Sequence, residues 1–281
     1  MFFKGLALTS ALGLSTVLAC PDHDYHSQLK TQGLRIHKRQ QGAPPNWTYD
    51  ASIDWGRLSE DYSLCQTGTH QSPIPLTVNQ GLSLRHNPIF NNYDMEAQGT
   101  FYNWGYGPAM TYAHPEGDYS ALPSFTFEEE DGHNETVHLS GWHIHAPADH
   151  SVQGDKAKAE LHLVHAGEEG HYRSVLAIRI DPGNVESTFL SNMPELISYR
   201  HTEERVNTTS NPRLALDEVS HFNQFWTYKG SLTSPPCTEG VRWYMARNIM
   251  FASDDQMQQL LNASHFSSRA EQQVWRHQIN V

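Results

Sequence analysis

His143 and His145 are one residue apart in Val137 to His145, a segment that reads as a β-strand, so their side chains leave one face together, as two ligands of one metal ion must. The pair alone also fits two surface histidines. A third candidate, His162, lies in Glu160-Leu161-His162-Leu163-Val164-His165, where Glu160 and His162 share one strand face and Leu161 and Leu163 the other. An Ala-Pro turn and a Gly-Asp turn separate the segments, which lets neighbouring antiparallel strands bring His143, His145 and His162 together. Neutral imidazoles from all of them leave a fourth tetrahedral position for water, and zinc lowers the pKa of that water to about 7, giving hydroxide at ordinary pH. Glu160 is placed to accept the N–H of a ligand imidazole and fix its tautomer. His165 faces away and reads as a core or surface histidine.

The elements that must position these residues are short. Val137 to His145, Ala159 to His165, Ser174 to Ile180 and Gly240 to Asn248 are rich in β-branched, aromatic and Leu residues and are bounded by Gly, Asp, Asn or Pro. Leu214, Val219, Phe222 and Trp226 recur at near-helical spacing, and Ser253 with Gln256 resembles a capping box opening a helix that buries Met257, Leu260 and Leu261. The expectation is a mainly β (α+β) single domain over residues 42–281: a mostly antiparallel twisted sheet with short peripheral helices.

Composition removes several function classes. With 19 basic against 31 acidic side chains, the formal charge is -12, which argues against nucleic acid and anionic membrane surfaces as partners. Three cysteines without CxxC spacing exclude zinc fingers and thioredoxin-like sites. Lys4, the uncharged run Leu6 to Leu18 and Ala19 have the order of a secretory signal, taken as residues 1–19. Residues 20–41 read as a pro-segment or linker, with Lys38-Arg39 resembling a processing site; Val17-Leu18-Ala19-Cys20 loosely suits a lipoprotein signal instead. Sequons at Asn46, Asn134, Asn207 and Asn262 favour a secreted glycoprotein, and the polar stretch Arg269 to Val281 offers neither a transmembrane nor a GPI signal. In an oxidising compartment Cys65 and Cys237, the pair left once the leader is gone, are expected to bond; buried free thiols are the alternative.

Gly141-Trp142-His143-Ile144-His145-Ala146-Pro147-Ala148-Asp149-His150, followed by Ala159 to His165, resembles the metal-binding core of the α-carbonic anhydrases, in their secreted, eukaryotic, fungal-like form. Gln71-Ser72-Pro73-Ile74, after Trp55-Gly56 and Cys65, is similar to the family's N-terminal block, and Tyr228 to Trp243 is similar to its most diagnostic stretch. The blocks cover about residues 45 to 270 in the family's order and also imply the Cys65–Cys237 bridge. The resemblance implies zinc-dependent, reversible hydration of carbon dioxide to bicarbonate, by attack of zinc-bound hydroxide and departure of a proton. It further implies that Thr233 accepts the hydroxide's hydrogen bond and passes its own to Asp149, that Val164, Val175, Leu232 and Trp243 wall the carbon dioxide site, and that Ser234 is a polar neighbour. Inhibition by sulfonamides and anions is implied as well.

The pattern departs from the family at several positions. Asp149 replaces the usual Glu and is one methylene shorter; Tyr106 follows Asn103-Trp104-Gly105 where a proton-carrying His is common, and a phenol of reference pKa about 10 exchanges protons poorly at neutrality. His70, His114, His133 and His150 are candidate substitutes. Gly141, and Ser267-Ser268 before Arg269, promise thinner bracing of the ligands than is usual. These losses keep open a secreted binding or adhesion module on the same fold, and the HxH with a later acid loosely imitates a cupin-like oxygenase.

Overall fold

The computed structural model describes residues 47–281; residues 1–19, Cys20, Lys38-Arg39 and Asn46 lie outside that range. Eleven strands form the scaffold: β1 (Ile89–Asn91), β2 (Ala97–Asn103), β3 (Pro108–Tyr112), β4 (Ser124–Glu128), β5 (Asn134–His145), β6 (Ala159–Ala166), β7 (Tyr172–Pro182), β8 (Arg205–Ser210), β9 (Phe225–Ser231), β10 (Glu239–Ala246) and β11 (Met250–Ala252). They make one sheet in the order β8-β2-β3-β5-β6-β7-β10-β9, with β4 on β5, β1 on β4 and β11 on β7. Pairing is antiparallel except where β10 and β11 run parallel to β7. This is the mostly antiparallel sheet with short helices expected from the sequence. Among the described residues, no helix is long and apolar enough to cross a membrane.

The central strands explain themselves by burial on both faces. All of β6 is buried, and its alternate residues enter two different cores. Leu161 and Leu163 join Trp142, Ile144, Leu176 and Ile178 in the larger one. Val164 joins Val175, Trp226, Tyr228 and Trp243 in the other. A third cluster, Trp47, Tyr49, Trp55, Tyr62 and the bonded pair Cys65–Cys237, packs with Trp104 and Tyr106. The bridge spans 172 residues of sequence, a closure worth roughly 4 kcal/mol or more on the chain-entropy model.

Two local expectations need correction. The capping box forms, with Ser253 Oγ accepting from Gln256 N–H and Gln256 Oε1 accepting from Ser253 N–H, and helix Asp254–Ala263 buries Met257 and Leu260. Leu261, however, is 41% exposed, because it stands about 100° further round the helix than Leu260. The run Leu214 to Trp226 is not one helix either. The helix is Arg213–Glu218; Ser220, His221 and Phe222 then take positive φ (54°, 56°, 54°), and Trp226 lies in β9.

His165 is fully buried on the face opposite His162, with Nε2 against the Tyr93 hydroxyl and its ring edge-on to Phe125. Burial pushes its pKa down to about 3. Between the unfolded value of 6.5 and that level the unfolded chain binds the extra proton, so this contribution is complete above pH 6.5 and is lost as pH falls. Urea unfolding from pH 7 to 4 is therefore expected to show falling stability, and His165→Gln to flatten the slope by up to about 1.4 kcal/mol per pH unit. An equal slope in the variant would refute this.

Candidate metal centre

The β5–β6 register puts His143 opposite His162 and His145 opposite Glu160. Since Trp142, Ile144, Leu161 and Leu163 are committed to the larger core, period-2 alternation sends His143, His145, Glu160 and His162 to the other face. There the ligand atoms of His143, His145 and His162 lie within 4.8 Å of one another. Their rings are 4.5 to 5.2 Å apart, and His143 Nε2 is 3.0 Å from His145 Nε2.

Hydrogen bonds decide which nitrogen each ring offers. His145 Nδ1 meets the Ser267 carbonyl at 2.6 Å, leaving Nε2 free. His162 Nε2 meets Glu160 Oε1 at 2.7 Å, leaving Nδ1. Burial lowers the pKa of both His143 and His145, with the neighbouring imidazoles adding at His143, so both are neutral at neutral pH as metal ligands must be. Burial opposes the charge on Glu160, but electrostatic attraction to the His150 ring and the hydrogen bonds of His150 and His162 outweigh it, holding the carboxyl well below its ordinary range. An anion behind a neutral imidazole raises its basicity toward a cation.

Bracing is not thin, as Ser267-Ser268 suggested. A backbone carbonyl at Ser267 holds His145, and Ser267 Oγ accepts from Ala146 N–H at 3.0 Å, so the side chain normal at that position is not needed for the first contact. Gly141 has a different cause: a Cβ there would come within 2.4 Å of the Met110 carbonyl on β3. His143 is instead flanked by the Trp104 ring at 5.3 Å.

Asp149 is fully buried and four residues from His145. Its Oδ1 accepts from Arg269 N–H at 2.8 Å, and Oδ2, 3.7 Å from His145 Nε2, has no hydrogen-bond partner. The bond from Thr233 implied by the resemblance is thus not formed at that atom; Thr233 is buried on the loop that leads to Cys237. Ser234, on the same loop, hydrogen-bonds Tyr49. Val164, Val175 and Trp243 form one apolar cluster with half-buried Leu232 against it, and the Trp243 ring lies 4.9 Å from His162. Burial, reinforced by Asp50, pushes the half-buried Tyr106 phenol above its ordinary value, so it remains a neutral hydroxyl. Asn134, Asn207 and Asn262 are exposed.

His150, one of the candidate substitutes for the proton carrier, is completely buried. Nδ1 meets Glu160 Oε1 at 2.7 Å, Nε2 meets the Tyr228 hydroxyl at 2.8 Å, and Tyr228 donates to Ser72 Oγ at 3.0 Å. His150 positions the carboxylate that positions a ligand. Arg269 was also missed as a site residue: its guanidinium donates to the Ser72 and Leu232 carbonyls at 2.6 and 3.3 Å and to Gln71 Oε1 at 2.9 Å. Its neighbours are scattered in sequence, and no local signal marked it.

A sheet presenting converged imidazoles beside a spare buried carboxylate oxygen is the architecture of a metal-site enzyme. The eukaryotic-type carbonic anhydrase family matches residues 50–280, and the chain belongs to that family of lyases, the carbonate dehydratases. It is 28% identical over 226 residues to a carbonic anhydrase of Pectobacterium atrosepticum, spanning 79% of this chain and 85% of that one. With a putative carbonic anhydrase 3 of Caenorhabditis elegans it shares 31% over 205 residues, 68% of this chain and 78% of the other. Among solved structures, the α-carbonic anhydrase of Thermovibrio ammonificans in complex with the inhibitor sulfanilamide superposes with a TM-score of 0.68 at 25% identity, covering 84% of this chain and 99% of that one.

Replacing His145 by Ala is expected to abolish binding of one zinc per chain. Glu160→Gln should weaken zinc roughly ten- to a hundredfold. Competition against a chromophoric chelator measures both; unaltered affinity in Glu160→Gln would remove the role given to that carboxylate.

Proposed function

We propose that the chain holds zinc on His143, His145 and His162 and hydrates carbon dioxide reversibly to bicarbonate and a proton. The convergence of those imidazoles, all on one face and with the remaining nitrogens of His145 and His162 tied down, is the observation that carries the reading. Zinc, when bound, supplies hydroxide at neutral pH by lowering the pKa of water to about 7.

The chain's own residues do the rest. Val164, Val175, Leu232 and Trp243 provide an apolar surface for a substrate with no net charge or dipole, and keep water from competing for its place. Thr233 accepts a hydrogen bond from the nucleophile and points its own proton at Asp149 Oδ2, the buried acceptor that has no other partner. A local backbone shift of the Thr233 loop, or a water between them, completes that contact across the methylene that aspartate lacks. Ser234, held by Tyr49, borders the same space. Bicarbonate leaves as an anion, and one proton must leave with each turnover.

Export into an oxidising compartment is part of the proposal. It is supported by the Cys65–Cys237 bond, the signal-like N-terminus and the exposed sequon asparagines.

Stopped-flow hydration by the zinc-loaded protein is expected to exceed the buffer rate, to rise from pH 6 to 8, and to be inhibited by an aromatic sulfonamide. Thr233→Ala should lower kcat/KM on the order of a hundredfold. A rate no faster than buffer with one zinc bound per chain would refute the proposal.

A further inference from the structure

The hydration proposed above releases a proton that the residues nearest the triad are poorly suited to carry away. Tyr106 stays a neutral hydroxyl. His150 is sealed between Glu160 and Tyr228. His70 is engaged with Thr69 and packs on His277, His114 meets the Pro115 carbonyl and Tyr119, and His133 pairs with Asp131. The contacts of His114 and His133 stop short of the triad, and the path from half-buried His70 runs through buried His277 and Tyr228 to His150 and Trp243 beside His162.

His265 differs from them. It is exposed, and its backbone N–H donates to the Tyr106 carbonyl at 2.8 Å. Two residues further on, Ser267 holds His145. The imidazole lies nearly parallel to two phenol rings, Tyr106 at 5.9 Å and 12° and Tyr199 at 5.1 Å and 14°. Tyr106 in turn packs on Tyr49 at 5.0 Å and Trp104 at 4.9 Å, and these rings touch His145 at 5.8 and 5.3 Å. Among the described residues, it is the exposed histidine that ring contacts connect to the triad.

We propose that His265 is the outlet for the reaction's proton, taking it from solvent on a ring nitrogen and passing it to buffer. The inference rests on the carbon dioxide reading above. In the first transfer an O–H bond of water breaks and an N–H bond forms; in the second that N–H bond breaks as a buffer base is protonated, so the ring returns to its starting state without any redox change. Imidazole suits the task because its reference pKa is the one among side chains that lies near neutrality. Two aromatic faces stabilise the ring as a cation and still pack it when neutral, so the charge can come and go without the ring moving. The ionisable groups around it are those two phenols, with Asp50 acting on Tyr106 and the Arg200 guanidinium 5.4 Å from the Tyr199 ring.

The test compares the zinc-loaded protein with His265→Gln, a change at an exposed position expected to leave the melting temperature unaltered. In dilute buffer the variant's kcat should fall on the order of tenfold while kcat/KM for carbon dioxide is unchanged, and added imidazole should restore kcat. A readout independent of turnover is the proton resonance of the His265 ring, assigned by its loss in the variant. Its titration midpoint should drop by a few tenths of a pH unit when zinc is added to the metal-free protein, because an added divalent charge disfavours the imidazolium. A variant kcat equal to the wild type in dilute buffer, or a midpoint indifferent to zinc, overturns the role of His265 while leaving hydration standing. Absence of hydration in the wild type instead overturns the parent reading and this inference with it.

Discussion

His143 faces His162 across the β5–β6 ladder, and His145 faces Glu160. Because side chains alternate between faces, a slip of one residue in either strand would send its polar set into the larger core and turn large apolar side chains out of it. Trp142, Ile144, Leu161 and Leu163 are each no more than 3% exposed, and burying such a side chain is worth about 1.5–3 kcal/mol. The apolar face thus holds the register, and the polar face inherits a metal geometry from it. The irregularity between Leu139 and Gly141 lies just upstream, where β3 comes close enough to demand glycine.

A second constraint follows from placing a charge in the middle of that sheet. Glu160 is fully buried, and an isolated carboxylate there would take up a proton. Hydrogen bonds from the His150 backbone N–H and ring and from His162 keep it ionised, and the Tyr228–Ser72 chain secures His150 from behind. The stability of this network and the orientation of His162 are one and the same set of bonds, so a change that loosens either loosens both.

The triad, Glu160, the disulfide and the sheet were legible because each has a short-range or compositional signature: alternation at period 2, a cysteine pair outside the signal-like N-terminal stretch, strand-like runs between turn residues. The capping box at Ser253 was equally local. What escaped the sequence was decided elsewhere. Trp226 ended in a strand because three consecutive left-handed residues broke the helical spacing before it, and Leu261 turned outward because the docking face was narrower than the apolar pattern. The Ser267 support for His145 comes from a carbonyl, which no side-chain pattern encodes. His150 and His265 are both histidines packed on a tyrosine, yet one is sealed and the other open, a distinction set by partners as far as 78 and 159 residues away in sequence.

Arg269 shows how the remaining parts are brought into register. Burial lowers its pKa to about 10, which still leaves it charged at neutral pH, and so its donors must be met. The acceptors come from the N-terminal block, through the Cys65 and Ser72 carbonyls and Gln71, and from the Leu232 carbonyl next to Thr233. Its own backbone N–H then fixes Asp149 Oδ1. One buried cation therefore ties the threonine loop, the acidic residue and the disulfide-bonded segment Cys65 to Ser72 together, which three separate local structures could not do. With Oδ1 committed to the backbone, the carboxylate cannot turn to satisfy Oδ2, and the shorter aspartate presents a fixed, unpaired acceptor toward His145. The missing methylene moves that acceptor without abolishing it, because its orientation is set by the arginine's main chain rather than by the length of the acid.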